Sequence, residues 1–120
     1  MIKKILLYAF IVFPLVILFS GCTQPLARTQ LVFGIHAAEK DLWDEAIFRW
    51  KKALLENPNS AAAHNNLAVA YEKKGLLKKA EKEYEAALKL APENKYIKSN
   101  YQKFKENYPN KKKNNEKKKN

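Results

Sequence analysis

Apolar side chains recur every three or four residues through most of the chain between residues 28 and 108. This spacing places them on one face of an α-helix, where they can be buried together. Glycine, proline, serine and aspartate, which end or begin helices, separate the apolar stretches. The pattern therefore predicts an all-α fold, with helices over about 28–40, 44–56, 60–74, 78–90 and 95–109.

The apolar pattern repeats with a fixed period, which is about 34 residues long. A fixed period of this length is typical of stacked helical hairpins, in which each unit buries its apolar face against its neighbour. We therefore expect two similar hairpins, followed by a fifth helix. The matched pairs are Phe33 with Leu67, Ala46 with Ala80, Trp50 with Tyr84, Ala53 with Ala87, Leu54 with Leu88, Pro58 with Pro92 and Ser60 with Asn94.

Residues with special backbone roles stand where the hairpins are expected to turn. Ser60 is predicted to cap the third helix, because its hydroxyl can accept a hydrogen bond from an unpaired backbone N–H. Gly75 suits the left-handed conformation that ends that helix. Asp41 takes the same place in the first hairpin, since aspartate adopts this conformation more readily than most residues. Pro92 ends the fourth helix, because proline cannot continue an α-helix.

The repeated unit resembles the tetratricopeptide repeat (TPR). Residues 61–94 resemble the TPR consensus across their full length, apart from His64, where a large apolar residue is usual. Residues 27–60 resemble it as well, but depart from it at Ala37 and Asp41. The residues at signature positions are Leu67, Ala68, Tyr71, Gly75, Ala80, Tyr84, Ala87 and Pro92 in the second unit, and Phe33, Gly34, Ala46, Trp50, Ala53 and Pro58 in the first.

The resemblance implies an α-solenoid fragment with one TPR hairpin at 27–60 and a second at 61–94. Residues 95–109 keep helical spacing and are expected to form a C-terminal capping helix over the open end of the second hairpin. Two hairpins are few for a repeat fold, so self-association through the exposed end of the first hairpin is a further expectation.

The resemblance also implies a concave groove lined by the first helix of each hairpin. Only Asn66 matches the family's clamp for a carboxylate, whereas Leu31 and Ile35 stand where that clamp has polar residues. We expect an apolar groove that takes an amphipathic helix or extended segment of a partner protein. Alternatively, Leu31 and Ile35 pack against a neighbouring helix or the chain's own N-terminal segment. The predicted groove residues are Arg28, Leu31, Ile35, Ala38, Ala62, Asn65, Asn66, Val69 and Lys73.

The segment 1–21 is typical of an export signal. Lys3 and Lys4 precede an apolar run at 5–19, and small residues follow at positions 20 and 21. The alternative is an uncleaved membrane-spanning helix, which needs about 20 apolar residues to cross the bilayer. The run is shorter than that and contains Pro14, so the sequence favours a cleaved signal.

Cys22 directly follows the small residues and resembles the lipidated cysteine of a bacterial lipobox. The resemblance implies a mature N-terminus at Cys22 that carries palmitate-type acyl chains, joined to the first hairpin by a short linker at 22–26. Thr23 stands where many enteric lipoproteins have the aspartate of inner-membrane retention. We therefore expect a lipid anchor in the cell envelope, on the periplasmic side of the outer membrane in a Gram-negative cell. By analogy with other TPR lipoproteins, the partner would belong to pilus, secretin or outer-membrane assembly machinery.

The formal net charge is +11, but much of it lies outside the predicted fold. Residues 110–120 hold six lysines, one acid and no apolar residue, so this tail is expected to be disordered. It could touch anionic lipid or polymer, which is the alternative function, or remain simply solvated. Nucleic acid is not an expected partner, because an exported protein rarely meets it.

Nothing in the sequence predicts catalytic residues, a metal site or a cofactor. Cys22 is the single cysteine, and the sequence has no glycine-rich phosphate loop. His36 and His64 fall at repeat positions that usually pack, so both are predicted to be core or boundary residues. Glu81, Glu83 and Glu85 are predicted to pair with lysines on an exposed helix face.

Overall fold

The computed structural model describes residues 24–117, with side chains placed for residues 26–108. The predicted signal at 1–21 and the predicted lipidation site at Cys22 lie outside these residues. The described part of the chain folds into five α-helices and contains no strand. The helices are α1 (Gln24–Glu39), α2 (Trp43–Glu56), α3 (Ala61–Lys73), α4 (Leu77–Leu90) and α5 (Lys95–Lys117).

The helices form two hairpins and a fifth helix in a single stack. Helix α1 packs on α2 and α3 packs on α4, and the short turns make each pair antiparallel. Helix α2 also packs on α3, which joins the hairpins, while α5 covers α4 and touches α3. The all-α solenoid fragment predicted from the sequence is thereby confirmed.

Both hairpin turns use a residue in the left-handed conformation. Asp41 has a φ of 57°, and Gly75, at the equivalent position of the second hairpin, has a φ of 73°. After Asp41 the backbone N–H of Leu42 donates to the carbonyl of Ala37 at 2.9 Å, and the second hairpin repeats this bond at 2.8 Å. These bonds satisfy carbonyls at the helix end that would otherwise lack a partner.

The starts of α3 and α5 carry equivalent side-chain caps. The Ser60 hydroxyl accepts a hydrogen bond from the backbone N–H of Ala63 at 3.2 Å. The Asn94 side-chain oxygen accepts from the backbone N–H groups of Tyr96 at 3.0 Å and Ile97 at 3.2 Å. Both caps satisfy N–H groups of the first helical turn, and the repeat relates their positions.

The core alternates small residues, where helices come close, with large aromatic residues beside them. Tyr84 of α4 and Phe104 of α5 lie with ring centroids 5.3 Å apart, so α5 is joined to the second hairpin by aromatic packing. The buried residues are Ala37, Ala46, Trp50, Ala53, Ala63, Leu67, Ala68, Ala70, Tyr71, Leu77, Ala80, Tyr84, Ala87, Ile97 and Phe104.

Helix α5 differs from the sequence prediction in its length. It runs to Lys117, whereas the sequence predicts a capping helix that ends at 109 and a disordered tail at 110–120. The residues beyond 110 are six lysines, three asparagines and one glutamate, of which lysine and glutamate are good helix formers and can extend a helix that has already formed. The helix also continues through Pro109, which has no backbone N–H to donate. In the described part of the chain, none of the helices combines the length and apolarity needed to cross a bilayer.

Candidate protein-binding groove

The groove side of α1 is partly apolar and partly exposed. Ile35 is 40% exposed and Arg28 is exposed, while Leu31 and Ala38 are half-buried against the core. The backbone carbonyl of Leu31 also accepts a hydrogen bond from the indole N–H of Trp50 at 3.1 Å. Leu31 is therefore largely a packing residue, whereas Ile35 presents apolar surface to the solvent.

Val32 is an exposed apolar residue of this side that the sequence analysis did not single out. It lies one helical turn before Ile35, so the two side chains share one side of α1. The repeat could have identified Val32 as a groove residue, because Asn66 occupies the equivalent position of the second hairpin and was recognised as one.

The groove side of α3 is more polar. Ala62 and Lys73 are exposed, Asn66 is half-buried, and Val69 is half-buried against the core. Its character therefore changes along the stack, from apolar on α1 to amide and cationic on α3.

Asn65 is largely engaged within the fold. Its side-chain oxygen accepts a hydrogen bond from the amide of Asn100 on α5 at 3.1 Å, and its own amide donates to Asn66 at 3.4 Å. Sequence reasoning missed Asn100, although it follows Asn66 by one full repeat period. Helix α5 thus binds one of the predicted groove residues and closes that end of the groove.

Lys73 and Lys74 lie at the junction between the hairpins. The Lys73 ammonium lies 5.8 Å from the centroid of the Trp43 ring, within the range of a cation–π contact. The Lys74 ammonium donates to an Asp44 carboxylate oxygen at 2.9 Å. Both contacts join the end of α3 to the start of α2 and hold a positive charge at the rim of the groove.

A polar link joins the two helices of each hairpin at equivalent positions. In the first hairpin the Arg49 guanidinium donates to the side-chain oxygen of Gln30 at 3.2 Å. In the second, the ring of His64 lies 2.6 Å from a carboxylate oxygen of Glu83 through Nδ1 and 3.0 Å from the Pro58 carbonyl through Nε2. Both ring nitrogens of His64 therefore have partners that position α3, as expected for a boundary histidine.

The prediction that His36 is a core or boundary residue is wrong. Its side chain is exposed, and Nδ1 lies 3.1 Å from the Glu39 carboxylate one turn further along α1. The side of α1 that carries His36 faces away from α2, and no helix precedes α1 in the described residues. The repeat position of His36, which a preceding helix covers inside a longer array, is therefore exposed to solvent at this end of the stack.

The glutamates of α4 also differ from the prediction, because two of them bind across helices rather than to lysines. Glu83 binds His64, and Glu85 accepts a hydrogen bond from the Tyr101 hydroxyl at 3.2 Å. Burial, with the charge and hydrogen bond of Glu85, raises the pKa of Tyr101 above its usual value. This phenol acts as a donor that fixes α5 on α4.

Tyr84 joins the helices of the second hairpin through its hydroxyl. The hydroxyl donates to a carboxylate oxygen of Glu72 at 3.3 Å. Burial, assisted by the negative charge of Glu72, raises the pKa of Tyr84 well above its usual value. Between residues 24 and 117, no group of three or more histidine, cysteine, aspartate or glutamate side chains is placed to hold a metal ion.

Comparison with known proteins agrees with this geometry. The family described as tetratricopeptide repeat matches residues 31–95, which is more than half of the chain. The protein O-mannosyl-transferase TMTC4 of Mus musculus is 48% identical over 50 residues, which cover 42% of this chain and 7% of that relative. The chain thus spans a small part of the relative's length. Tetratricopeptide repeats typically mediate contacts between proteins and are generally not catalytic. With two hairpins of the same repeating plan and a match over most of both, the chain belongs to the tetratricopeptide repeat family.

Proposed function

We propose that this protein is an adaptor that binds a segment of a partner protein in the groove beside α1 and α3. A lipid on Cys22 would hold it at a membrane of the bacterial cell envelope. The observation that carries the proposal is the pair of exposed branched apolar side chains, Val32 and Ile35, on the groove side of α1. Burial from full exposure is worth about 1.5–3 kcal/mol for such a side chain. Because Val32 is 42% and Ile35 40% exposed, a partner that covers both gains about 1–2.5 kcal/mol in total.

The polar residues around this apolar strip indicate what the partner segment looks like. Arg28 and Lys73 place positive charge at the two ends of the groove, and Asn66 offers amide hydrogen bonds between them. A segment with apolar residues at helical spacing and acidic residues beside them complements this arrangement.

The membrane part of the proposal rests on the sequence before α1. A positive start, an apolar run and small residues lead to Cys22, and α1 begins at Gln24, two residues later. Two or three acyl chains anchor a protein stably where one does not. The proposed setting is the periplasmic side of the outer membrane of a Gram-negative cell, with assembly machinery for pili, secretins or outer-membrane proteins as the class of partner.

The groove is tested by photo-crosslinking in intact cells from a benzoylphenylalanine introduced at position 35 of the full chain. We expect one predominant protein adduct, which is lost when Val32→Glu places a charge in the apolar strip. A second crosslinker at position 82 is the matched control, because Lys82 is exposed on α4, the second helix of its hairpin, which does not line the groove. The same adduct from position 82, or an adduct that survives Val32→Glu, would contradict the proposal.

The lipid anchor is tested by mass spectrometry of the mature N-terminal peptide. The expected peptide begins at Cys22 and carries the mass of its acyl chains, whereas Cys22→Ser leaves the precursor uncut. A mature polypeptide that begins at Met1 would refute this part of the proposal and leave the groove untouched.

The alternative function, binding of anionic lipid or polymer through the C-terminal residues, has one structural observation in its favour. Helix α5 continues through Lys117, so four of the six lysines of this segment belong to the helix. Deletion of residues 110–120 separates the two functions. If the protein is an adaptor, the crosslinked adduct from position 35 remains after the deletion. If it binds anionic lipid or polymer through these residues, that binding is lost.

A further inference from the structure

A second exposed apolar surface lies on the first hairpin, away from the groove. Helix α1 exposes Leu26 and Phe33, and α2 exposes Phe48 and Leu55, of which Leu55 is 81% exposed. The members of each pair are about two helical turns apart, so they lie on one side of their helix. We call these four residues the outer face.

Cationic side chains join the two helices of the outer face into one surface. The Arg49 guanidinium lies 5.5 Å from the centroid of the Phe33 ring and 5.7 Å from that of Phe48. The Lys52 ammonium lies 5.0 Å from the Phe48 centroid. Aromatic rings and cations therefore alternate across the surface, at distances typical of cation–π contacts.

Packing between repeats explains only part of this surface. Phe33 is 50% exposed, whereas Leu67 at the equivalent position of the second hairpin is 2% exposed, because α2 packs on α3. In the described part of the chain, α1 has no preceding helix to play that role. Phe33 thus occupies a position that is buried between hairpins elsewhere in the repeat but is exposed at this end of the stack.

Phe48 and Leu55 have no such explanation. The equivalent residues of the second hairpin are Lys82 and Lys89, which are both exposed on the solvated side of α4. A solvated position of the repeat is therefore occupied by a large apolar residue in the first hairpin alone. The fold does not require this, since the second hairpin forms with lysine at both places.

We infer that the outer face lies against the surface of an anionic phospholipid bilayer. The inference rests on the proposed lipid anchor, because Leu26 follows Cys22 closely in the chain. At about 3.5 Å per residue, the four residues from Cys22 to Leu26 keep Leu26 within roughly 15 Å of the acylated cysteine. Leu55 near the end of α2 lies at the same end of the antiparallel hairpin as Leu26, and so it also faces the anchor.

The chemistry of the outer face suits the boundary between headgroups and acyl chains. Phenylalanine and leucine are typical of the apolar face of a helix that lies at this boundary, and such a face enters it by about 5–10 Å. Lys51 and Lys52 remain exposed beside Phe48 and can reach anionic headgroups. Arg49 is partly neutralised by Glu45, to which its Nε donates at 2.7 Å. The two lysines therefore supply most of the attraction to the bilayer.

A second copy of the chain fits the outer face less well. In a two-fold contact each copy presents the same patch, so a patch with a surplus of cations would face another of the same sign. Like charges placed opposite each other oppose association.

This orientation leaves the groove open. Ile35 follows Phe33 by two positions, which corresponds to about 200° around α1. With the outer face on the bilayer, Ile35 points away from the lipid and stays available to a partner, whereas Val32, about 100° from Phe33, lies at the side of α1 between the two surfaces.

The test measures the depth of a tryptophan placed in the outer face of the full chain. Leu55→Trp is reconstituted into vesicles of phosphatidylcholine with brominated acyl chains, mixed with phosphatidylglycerol. The emission of the wild-type chain is subtracted from that of each tryptophan variant. The difference is then compared between brominated and unbrominated vesicles. Tyr96→Trp is the matched control, because Tyr96 is similarly exposed at the far end of the stack.

The expected result is an about twofold or greater loss of the added emission at position 55 in brominated vesicles and no loss at position 96. The loss at position 55 should decrease when Lys51→Gln and Lys52→Gln are added, and when phosphatidylglycerol is left out. Deletion of residues 110–120 should leave it unchanged.

Equal quenching at positions 55 and 96, or none at either, would overturn the inference. Shielding of position 55 from aqueous acrylamide without bromine quenching, together with crosslinked dimers, would show a second copy on the outer face and would also overturn it. The mass of the Cys22 peptide in the same sample tests the anchor separately. An acylated Cys22 with no bromine quenching rejects the outer face alone, whereas an unacylated Cys22 rejects the anchor on which the inference rests.

Discussion

Gly34 lies directly beneath the indole ring of Trp50, and this contact makes an alanine substitution informative. A Cβ atom built on Gly34 would lie 2.3 Å from Nε1, 2.6 Å from Cδ1 and 2.7 Å from Cε2 of Trp50. Ordinary contact between such atoms is about 3.5 Å, so the indole or the helix would have to move by roughly 1 Å. The indole has little room to do so, because Trp50 is 3% exposed and its N–H is held by the Leu31 carbonyl.

Two opposing effects decide the stability of Gly34→Ala. Alanine favours the helical backbone over glycine by about 1 kcal/mol. Overpacking of a filled core costs about 1–3 kcal/mol, and a displaced Trp50 that loses its hydrogen bond to Leu31 adds about 1–3 kcal/mol. We therefore expect Gly34→Ala to lower the free energy of unfolding by about 3 kcal/mol, which is the middle of the two cost ranges less the gain in helix propensity.

The measurement is urea unfolding of the full chain, followed by helical circular dichroism and by tryptophan emission. The second hairpin supplies a matched control, because Ala68 and Tyr84 occupy the positions equivalent to Gly34 and Trp50. The double variant Gly34→Ala with Trp50→Tyr copies that pair. It should be more stable than the sum of the two single changes predicts, since the smaller ring leaves room for the added methyl group.

A Gly34→Ala variant as stable as the wild type would show that helix propensity outweighs the contact with Trp50, and would refute this reasoning. Strict additivity in the double variant would show that the two residues are not coupled, and so would refute the proposed cause.

Three further predictions concern the turns, the caps and the buried phenol. Asp41→Gly should raise the free energy of unfolding by up to about 1 kcal/mol, measured by urea unfolding, because glycine adopts a φ of 57° without the steric cost that a side chain carries. Ser60→Ala should lower it by about 1 kcal/mol, and Ser60→Thr much less, because the cap to the Ala63 N–H is lost only in the first. Above pH 10 stability should fall, since the pKa of Tyr84 is raised in the folded chain and the unfolded chain releases that proton first. Tyr84→Phe should have the shallower decline between pH 10 and pH 12, and an equal decline in both proteins would contradict this assignment.

Much of the fold follows from chemistry that acts over a few neighbouring residues. The cap at Ser60, the left-handed turns at Asp41 and Gly75 and the buried stripes each depend on local spacing, and the structure has them where the pattern predicts. The start of α1 at Gln24 rather than Arg28 is a shift at a helix end, where local signals are weakest.

The features that sequence reasoning missed depend on how helices meet or on which helix has a neighbour. The bond between Asn65 and Asn100 requires the crossing of α3 and α5, which a single-helix pattern does not contain. Leu31 and Ile35 look alike in sequence, yet one packs against the core and the other is exposed. Residue type alone could not separate them, because the difference lies in their rotation about α1. The exposure of His36 instead depends on the neighbour of α1, since no helix precedes α1 in the described residues.

The polar links inside the two hairpins have a consequence for how the chain assembles. In the first hairpin the second helix supplies the cation, Arg49, and the first helix supplies the neutral acceptor, Gln30. In the second hairpin the roles are exchanged, since α3 offers the imidazole of His64 and α4 offers the carboxylate of Glu83. A register in which α3 folded back on α2 as a hairpin partner would set the His64 imidazole against the Arg49 guanidinium, from which it could only accept a hydrogen bond, and would leave the Glu83 carboxylate without its imidazole partner. Together with the fit of Gly34 beneath Trp50, these four side chains therefore favour the native pairing of the helices.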